Sequence, residues 1–308
     1  MSIQNYNKKI DFVIPLHRYH FMLRTVIESI ELFYSPKTIY IITPRENIDI
    51  ININKLKWNI NTIVTIIPEE TFFIENYNVS YSDIFNRYRE IEGSREFGWW
   101  YQQLIKLGAV NQISGLSDPY IAWDSDLIPI KKWELYPTIE NSNFRFAILQ
   151  ETSRSESNTQ QYRDSLLDLI GLPICDPEIG TFVPHHYVFH HSVLQHLFEF
   201  IKEKNPNNIW LLSIIDLSKR FLRFSEYRTV SSFMKEFYPL LLQYHPFNDF
   251  GRDGIRIREP TFFLKELDIF LYDNKIDFTK GISYRDFISF VKWKYKEKEP
   301  SYLQIEHI

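Results

Sequence analysis

No glycine occurs before Gly93, and the chain of 308 residues holds only nine. That distribution removes two large classes of nucleotide-binding α/β protein. The GxGxxG turn and the phosphate-cradling P-loop both need glycines directly after the first strand, where backbone approaches phosphate closely. The first strand here is "KIDFVIPL" (9–16), an apolar run that ends around Pro15. Any phosphate chemistry must use side chains further along.

The segments that follow alternate in type. "YHFMLRTVIESIELFY" (19–34) sets Leu23, Val26, Ile27, Ile30 and Phe33 at helical spacing, and "SPK" stops it. "TIYIIT" (38–43) and "NTIVTII" (61–67) are β-branched runs stopped by prolines, as strands are. This order predicts a mainly parallel α/β sheet flanked by helices. "GWWYQQLIKLGAV" (98–110) reads as a helix, "FRFAILQE" (144–151) as a strand and "TSRSESNTQQ" (152–161) as an exposed loop. "TFVPHHYVFHH" (181–191) reads as a mixed strand leading into a helix capped by Ser192, and 209–224 and 226–237 read as helices.

With no repeat and no low-complexity linker, a single domain over 1–270 is expected, followed by a helical extension over 271–308 packed on it. Within that extension "ISYRDFISFVKWKYKEK" (282–298) mixes aromatic and basic residues. It suits a helix packed on the domain with its lysines in water, or an amphipathic helix making peripheral membrane contact.

The hydrophobic share of 44% places the chain among globular proteins, and a net charge of −4 gives no reason to expect nucleic acid. One cysteine, Cys175, excludes an intrachain disulfide, a CxxC pair and a Cys-rich zinc site. The N-terminal stretch has no long apolar segment, so neither signal peptide nor membrane span is expected. The expected location is the cytoplasm, including the inner face of a membrane.

"PYIAWDSDLIPI" (119–130) holds two aspartates inside an apolar run. Acid-x-acid spacing recurs at Glu90/Glu92, Asp176/Glu178, Glu266/Asp268 and Glu297/Glu299, but only Asp124/Asp126 ends a strand-like run. In an extended segment, alternation would set both on one side. Two hard oxygen ligands there suit Mg²⁺ or Mn²⁺, with phosphate oxygens and water completing the shell. The alternative is a solvated turn between two strands. A metal and a diphosphate at a strand's C-terminal end point to a nucleotide-sugar enzyme.

Five pieces in order, "DFVIP", "GWWYQQLIKL", "YIAWDSDLIP", "FVPHHYVFHHSVL" and "FSEYRTV", cover roughly residues 9–240. Together they resemble nucleotide-sugar glycosyltransferases of the GT-A (Rossmann-like) fold. More closely they resemble a bacterial and viral family of glycosyltransferases known only as a domain of unknown function. The resemblance implies that Asp124 and Asp126 hold the metal and the donor's ribose or diphosphate. It sets Pro15, Leu16 and His17 against the donor's base. Gln102, Gln103 and Lys106 would share a helix facing the donor, with Lys106 either on phosphate or an ordinary exposed cation. Trp99 or Trp100 would stack on a ring or pack in the core.

Glu226 in "FSEYRTV" is the implied base, acting with Asp126, although an acid in a first helical turn is also favoured by the helix dipole alone. Asp176 and Glu178 are a second candidate base. Of the paired histidines His185 and His186, one would contact sugar or diphosphate, and His186 is the choice; convergent zinc ligation by the four histidines at 185–191 is disfavoured by strand alternation. His245 would be a third metal ligand or a loop histidine before Pro246.

The implied activity is metal-dependent transfer, with Mn²⁺ or Mg²⁺, from a nucleoside-diphosphate sugar, UDP-sugar foremost. The acceptor would be a glycan or lipid-linked, as in surface polysaccharide synthesis. A haloacid-dehalogenase-type phosphatase would carry its Asp-x-Asp after the first strand with Thr or Val where Ile128 stands. A nucleotidyltransferase would need an early glycine-rich loop. A non-catalytic carbohydrate- or nucleotide-binding module of the same fold is the remaining alternative.

Overall fold

The computed structural model describes residues 9–88, 95–133, 135, 144–147, 156–174, 182–245, 254–296 and 300–306. Its centre is built from the runs read above as strands: β1 (Phe12–Pro15), β2 (Thr38–Thr43), β3 (Ile63–Pro68), β4 (Tyr120–Trp123) and β7 (His186–Phe189). The sheet order is β3-β2-β1-β4-β7. The first four strands run parallel and β7 runs antiparallel to β4, pairing His186 with Trp123. β1 hands the chain to β2 and β3 on one side, and β4 then returns to pair with β1 on the other. The place where strand order reverses, between β1 and β4, is where open α/β sheets bind ligands, beyond the strands' C-terminal ends.

Around this sheet lie α1 (Leu23–Tyr34), α2 (Ile48–Lys55), α3 (Ile74–Tyr77), α4 (Tyr81–Arg87), α5 (Arg95–Gln112), α6 (Glu156–Ile170), α7 (His191–Lys204), α8 (Trp210–Asp216) and α9 (Glu226–Phe237). α5 packs across β1 and buries Phe97, Trp100, Tyr101, Leu104, Ile105 and Leu107. Gly108 lets the helix meet the core closely, since a Cβ there would lie 2.4 Å from the Phe73 ring. Short strands β5 (Leu127–Pro129), β9 (Ile255–Ile257) and β10 (Tyr302–Ile305) form a second sheet, and β6 (Phe144–Ala147) pairs with β8 (Leu242–His245).

Helices α10 (Pro260–Asp273) and α11 (Tyr284–Lys294) pack together through Phe263, Phe270 and Phe290. α11 lies against α1: the Tyr284 N–H donates to Glu28 at 2.7 Å, and Thr25 Oγ1 donates to the Ile282 carbonyl at 2.7 Å. Among the described residues no helix is long and apolar enough to cross a membrane.

Four sequence expectations change. The polar run 152–161 is not a loop throughout, because α6 begins at Glu156. Its buried stripe, Ser165, Leu166, Leu169 and Ile170, comes late, so the first turns carry no apolar signal. Ser192 lies inside α7 and does not cap it; the cap position is His190, and Asp118 Oδ1 accepts the His191 N–H at 3.1 Å. The helix expected over 209–224 stops at Asp216 and tightens into a 3₁₀ turn over Leu217–Arg220. Phe221 there adopts left-handed φ of 59°, a stop that no glycine or proline announces. Finally, Asp124 and Asp126 are not alternating strand residues. β4 ends at Trp123, and 124–126 form a turn closed by the Leu127 N–H donating to the Asp124 carbonyl at 3.1 Å.

Candidate active site

The turn that carries the aspartates is built in rather than solvated. Trp123 Nε1 donates to the Leu127 carbonyl at 2.9 Å, the Asp124 N–H to the His185 carbonyl at 3.0 Å, and the Ile305 N–H to the Asp126 carbonyl at 3.2 Å. Three elements thus fix it: its own strand, the start of β7 and the C-terminal β10.

Lys106 is the residue around which the site is organised. It sits two-thirds of the way along α5, is 2% exposed, and is not the surface cation a helical lysine usually is. Its Nζ lies 2.6 Å from Asp124 Oδ1 and 2.9 Å from Glu226 Oε1, and 4.7 Å from the centre of the Tyr227 ring. Burial opposes the ammonium charge, but Asp124 and Glu226 outweigh it and raise the lysine well above its ordinary range. For Asp124, burial likewise favours the neutral acid. Lys106 and His185 prevail, and hold its carboxyl well below the usual carboxylate range. Tyr227 OH donates to Asp124 Oδ1 at 3.3 Å, and His185 Nδ1 lies 3.0 Å from Oδ2.

Glu226 opens α9, where Ser225 caps the helix by accepting the Arg228 N–H. Its own N–H donates to Gln103 Oε1 at 3.1 Å, and Gln103 is buried against the start of α9. Asp126 contrasts with its neighbour. Its Oδ1 is buried and has no hydrogen-bond partner among the described residues. Burial first, then the charge of Asp124, pushes its carboxyl up to about 7.

Of the remaining expected residues, Pro15, Leu16, His17 and Gln102 line one small cleft between the β1 end and α5. His186 does not reach the site. Its register opposite Trp123 turns it into the core between Trp123 and Trp133, where Nδ1 meets the Pro184 carbonyl and burial lowers it to about 4. The preceding His185, with a φ of 61°, faces Asp124 instead. Trp100 is core against Phe224, and Trp99 is half-buried. His245 ends β8, but its side chain, like Asp176 and Glu178, lies outside the described residues.

Two participants escaped sequence reasoning. Tyr227 was legible in the same motif as Glu226, as an aromatic next to an acid. Gln304, whose Nε2 lies 2.9 Å from His185 Nδ1, comes from the last strand and carries no motif.

The sequence profile of DUF6492, a family of unknown function, matches residues 7–257. The chain belongs to this family. No curated protein matches it in sequence. Among solved structures, the DUF6492 chain is similar to mouse xyloside xylosyltransferase 1 in its apo form. The TM-score is 0.51 at 9% identity, over 97% of this chain and 98% of that one. A galactosyltransferase, LgtC, in complex with donor and acceptor sugar analogues, aligns with a TM-score of 0.48 at 13% identity, over 96% of this chain and 87% of that one. The likeness to the xylosyltransferase shows a GT-A-like fold, as the resemblance implied, and in this DUF6492 chain the charged cluster sits at the sheet's switch point.

Proposed function

We propose that this chain is a glycosyltransferase taking its sugar from a nucleoside diphosphate, a UDP-sugar foremost, with help from a divalent cation. The observation that carries the reading is the meeting of Lys106, Asp124 and Glu226, from three separate elements, beside the strand-order switch. Burying three charges is costly, and a purely structural core gains more from apolar residues of the same volume.

The residues fit a cation. Asp126 has a buried oxygen without a partner, and with Asp124, Asp126 and Glu226 all ionised, Lys106 offsets only one of three negative charges. Carboxylate oxygens suit Mn²⁺ or Mg²⁺. Among the described residues no group of three or more His, Cys, Asp or Glu is arranged to hold a metal. Asp126 and Asp124 would therefore be the protein ligands, and donor phosphate and water would supply the rest. Bound there, the ion would neutralise charge on the departing diphosphate.

The protein's own groups divide the remaining work. Lys106 orients Asp124 and Glu226 and keeps a fixed positive charge under the diphosphate. As the bond from the anomeric carbon to the diphosphate oxygen breaks, its electron pair leaves with the nucleoside diphosphate. The acceptor oxygen, from a glycan or lipid-linked hydroxyl, bonds to the anomeric carbon, and in an inverting reaction its proton passes to Glu226.

Thermal denaturation with UDP, GDP, CMP and dTDP, each with Mn²⁺ or EDTA, tests this. A ligand at a hundred times its Kd adds about 2.7 kcal/mol to a fold it alone recognises. The expected result is a Mn²⁺-dependent rise with UDP that Asp126→Ala abolishes. Identical midpoints in every condition would sink the reading and favour a non-catalytic module.

A further inference from the structure

Glu69 follows the last residue of β3, at the same edge of the sheet as Asp124, and lines the small cleft with Pro15, Leu16, His17 and Gln102. With strands about 4.8 Å apart and three intervals between β3 and β4, the two lie about 14 Å apart. That is of the order of the span from diphosphate to base in an extended nucleotide. Glu69 is 6% exposed, yet no hydrogen bond from any described residue reaches its carboxyl group. Only its backbone carbonyl is used, accepting from Tyr101 OH at 2.6 Å. Buried polar side chains are ordinarily satisfied by protein or water; this one has no protein partner among the described residues and lines the cleft, where a ligand that enters can take the place of water.

The cleft around it is rigid. Asn47 donates to the His17 carbonyl at 3.3 Å and to Thr43 Oγ1 at 2.9 Å, which fixes the loop after β1. The His17 ring lies over Gly98, where a Cβ would come within 3.9 Å of it. The groups facing Glu69 are Glu70 beside it, Glu46 from the turn before α2, Tyr81 from α4, Tyr101 from α5 and His17. Arg45 turns its backbone N–H to Glu70, and among the described residues no cation pairs with Glu69. Burial, then Glu70 and Glu46, pushes the Glu69 carboxyl up to about 8. At neutral pH it keeps its proton and offers one donor and one acceptor.

We infer that Glu69 reads the nucleobase of the donor, giving one hydrogen bond and accepting another along the base edge. This rests on the donor-site reading above and names the residue that recognises the base. The imide N–H and adjacent carbonyl of uracil or thymine form such a pair. Guanine's two adjacent N–H groups would instead call for an ionised carboxylate.

Calorimetric titration of UDP and dTDP, with Mg²⁺, into wild type, Glu69→Gln and Glu69→Ala at pH 7 and pH 9 tests the inference. Nucleotide-free melting of each variant reports its folding. A glutamine side chain keeps one donor and one acceptor, so E69Q should bind within about threefold of wild type at pH 7, whereas E69A should lose about tenfold. At pH 9 wild type should weaken relative to E69Q, because only wild type loses its donor. Tighter binding of UDP or of dTDP would then identify the nucleoside. Wild-type-like affinity in E69A, or a wild-type to E69Q ratio that stays flat or rises with pH, overturns the inference alone. Failure of wild type to bind either nucleotide overturns this inference, and failure with GDP and CMP as well overturns the donor-site reading with it.

Discussion

Two acidic clusters lie along one edge of the same sheet and are handled in opposite ways. At the end of β4, Asp124 and Glu226 are bound by a buried lysine, a tyrosine and a histidine. At the end of β3, Glu69 has neighbours of its own sign, Glu70 and Glu46, and among the described residues no cation pairs with it. Burial alone would neutralise Asp124 and Glu69; the lysine keeps the first charged, and among the described residues no cation does so for the second. Asp124 is thus held in its charged form by its partners, whereas Glu69 is pushed toward its neutral form by burial and by acids of its own sign. In the proposed donor site the first would meet the diphosphate and the second the base.

The sharpest way to break this contrast is to remove the lysine. Lys106→Met should destabilise the fold by about 3–5 kcal/mol near neutral pH, because two buried carboxylates lose their counter-charge. Urea titrations across pH check the mechanism. The carboxylates of the variant bind protons more readily than in the unfolded chain, so its deficit should shrink as pH falls and grow as pH rises. A deficit independent of pH would mean that Lys106 contributes packing rather than charge.

Next in size is Glu226→Gln. Its amide oxygen can still accept from Lys106, and its backbone N–H still reaches Gln103. Stability should change by at most about 1 kcal/mol. Transfer to an acceptor should fall about 10²- to 10⁴-fold with donor affinity unchanged, as expected when a general base is lost. Weaker donor binding with normal turnover would make Glu226 a positioning residue instead. Asp126→Asn should leave the metal-free fold at least as stable at pH 8, because it replaces an acid that resists ionisation there, while abolishing the Mn²⁺-dependent rise in melting temperature.

How far the sequence revealed this depends on the range of the interaction. β1, β2, β4 and α9 were legible because each is a run whose period and stops are local: Pro44 and Pro68 around the strands, Ser225 before the helix. Asp124, Glu226 and Lys106 were each visible as candidates. Their meeting was not, since residues 106 and 226 share no local pattern and only packing joins α5 to α9. Strand alternation correctly separated His185 from His186, but which of them faced the site depended on a positive φ that sequence does not mark in a histidine. Glu69 was passed over because its signal is the absence of a partner, which has no sequence motif.

The last expected effect is read on the nucleotide-free protein and isolates that missing partner. Glu69 has a folded value of about 8, above the ordinary 4.5. Between those limits the folded state holds a proton the unfolded chain has released, so stability falls as pH rises through the window and levels off above it. His20, buried without hydrogen bonds to its ring among the described residues, is lowered to about 4 by burial and works in the other direction. Its contribution is lost as pH drops from about 6.5 toward 4, so stability rises with pH there. His20 therefore favours a rise with pH up to about 6.5, and Glu69 a decline from about 4.5 to 8 that opposes it where the two windows overlap. Glu69→Gln should remove the decline that wild type carries between about pH 4.5 and 8, so that stability rises more steeply with pH where the His20 window overlaps and stays flat above it, read as chemical-denaturation midpoints at closely spaced pH. An unchanged decline would show that Glu69 is ionised in the folded protein. The two clusters would then differ in partners but not in the ionisation of Asp124 and Glu69.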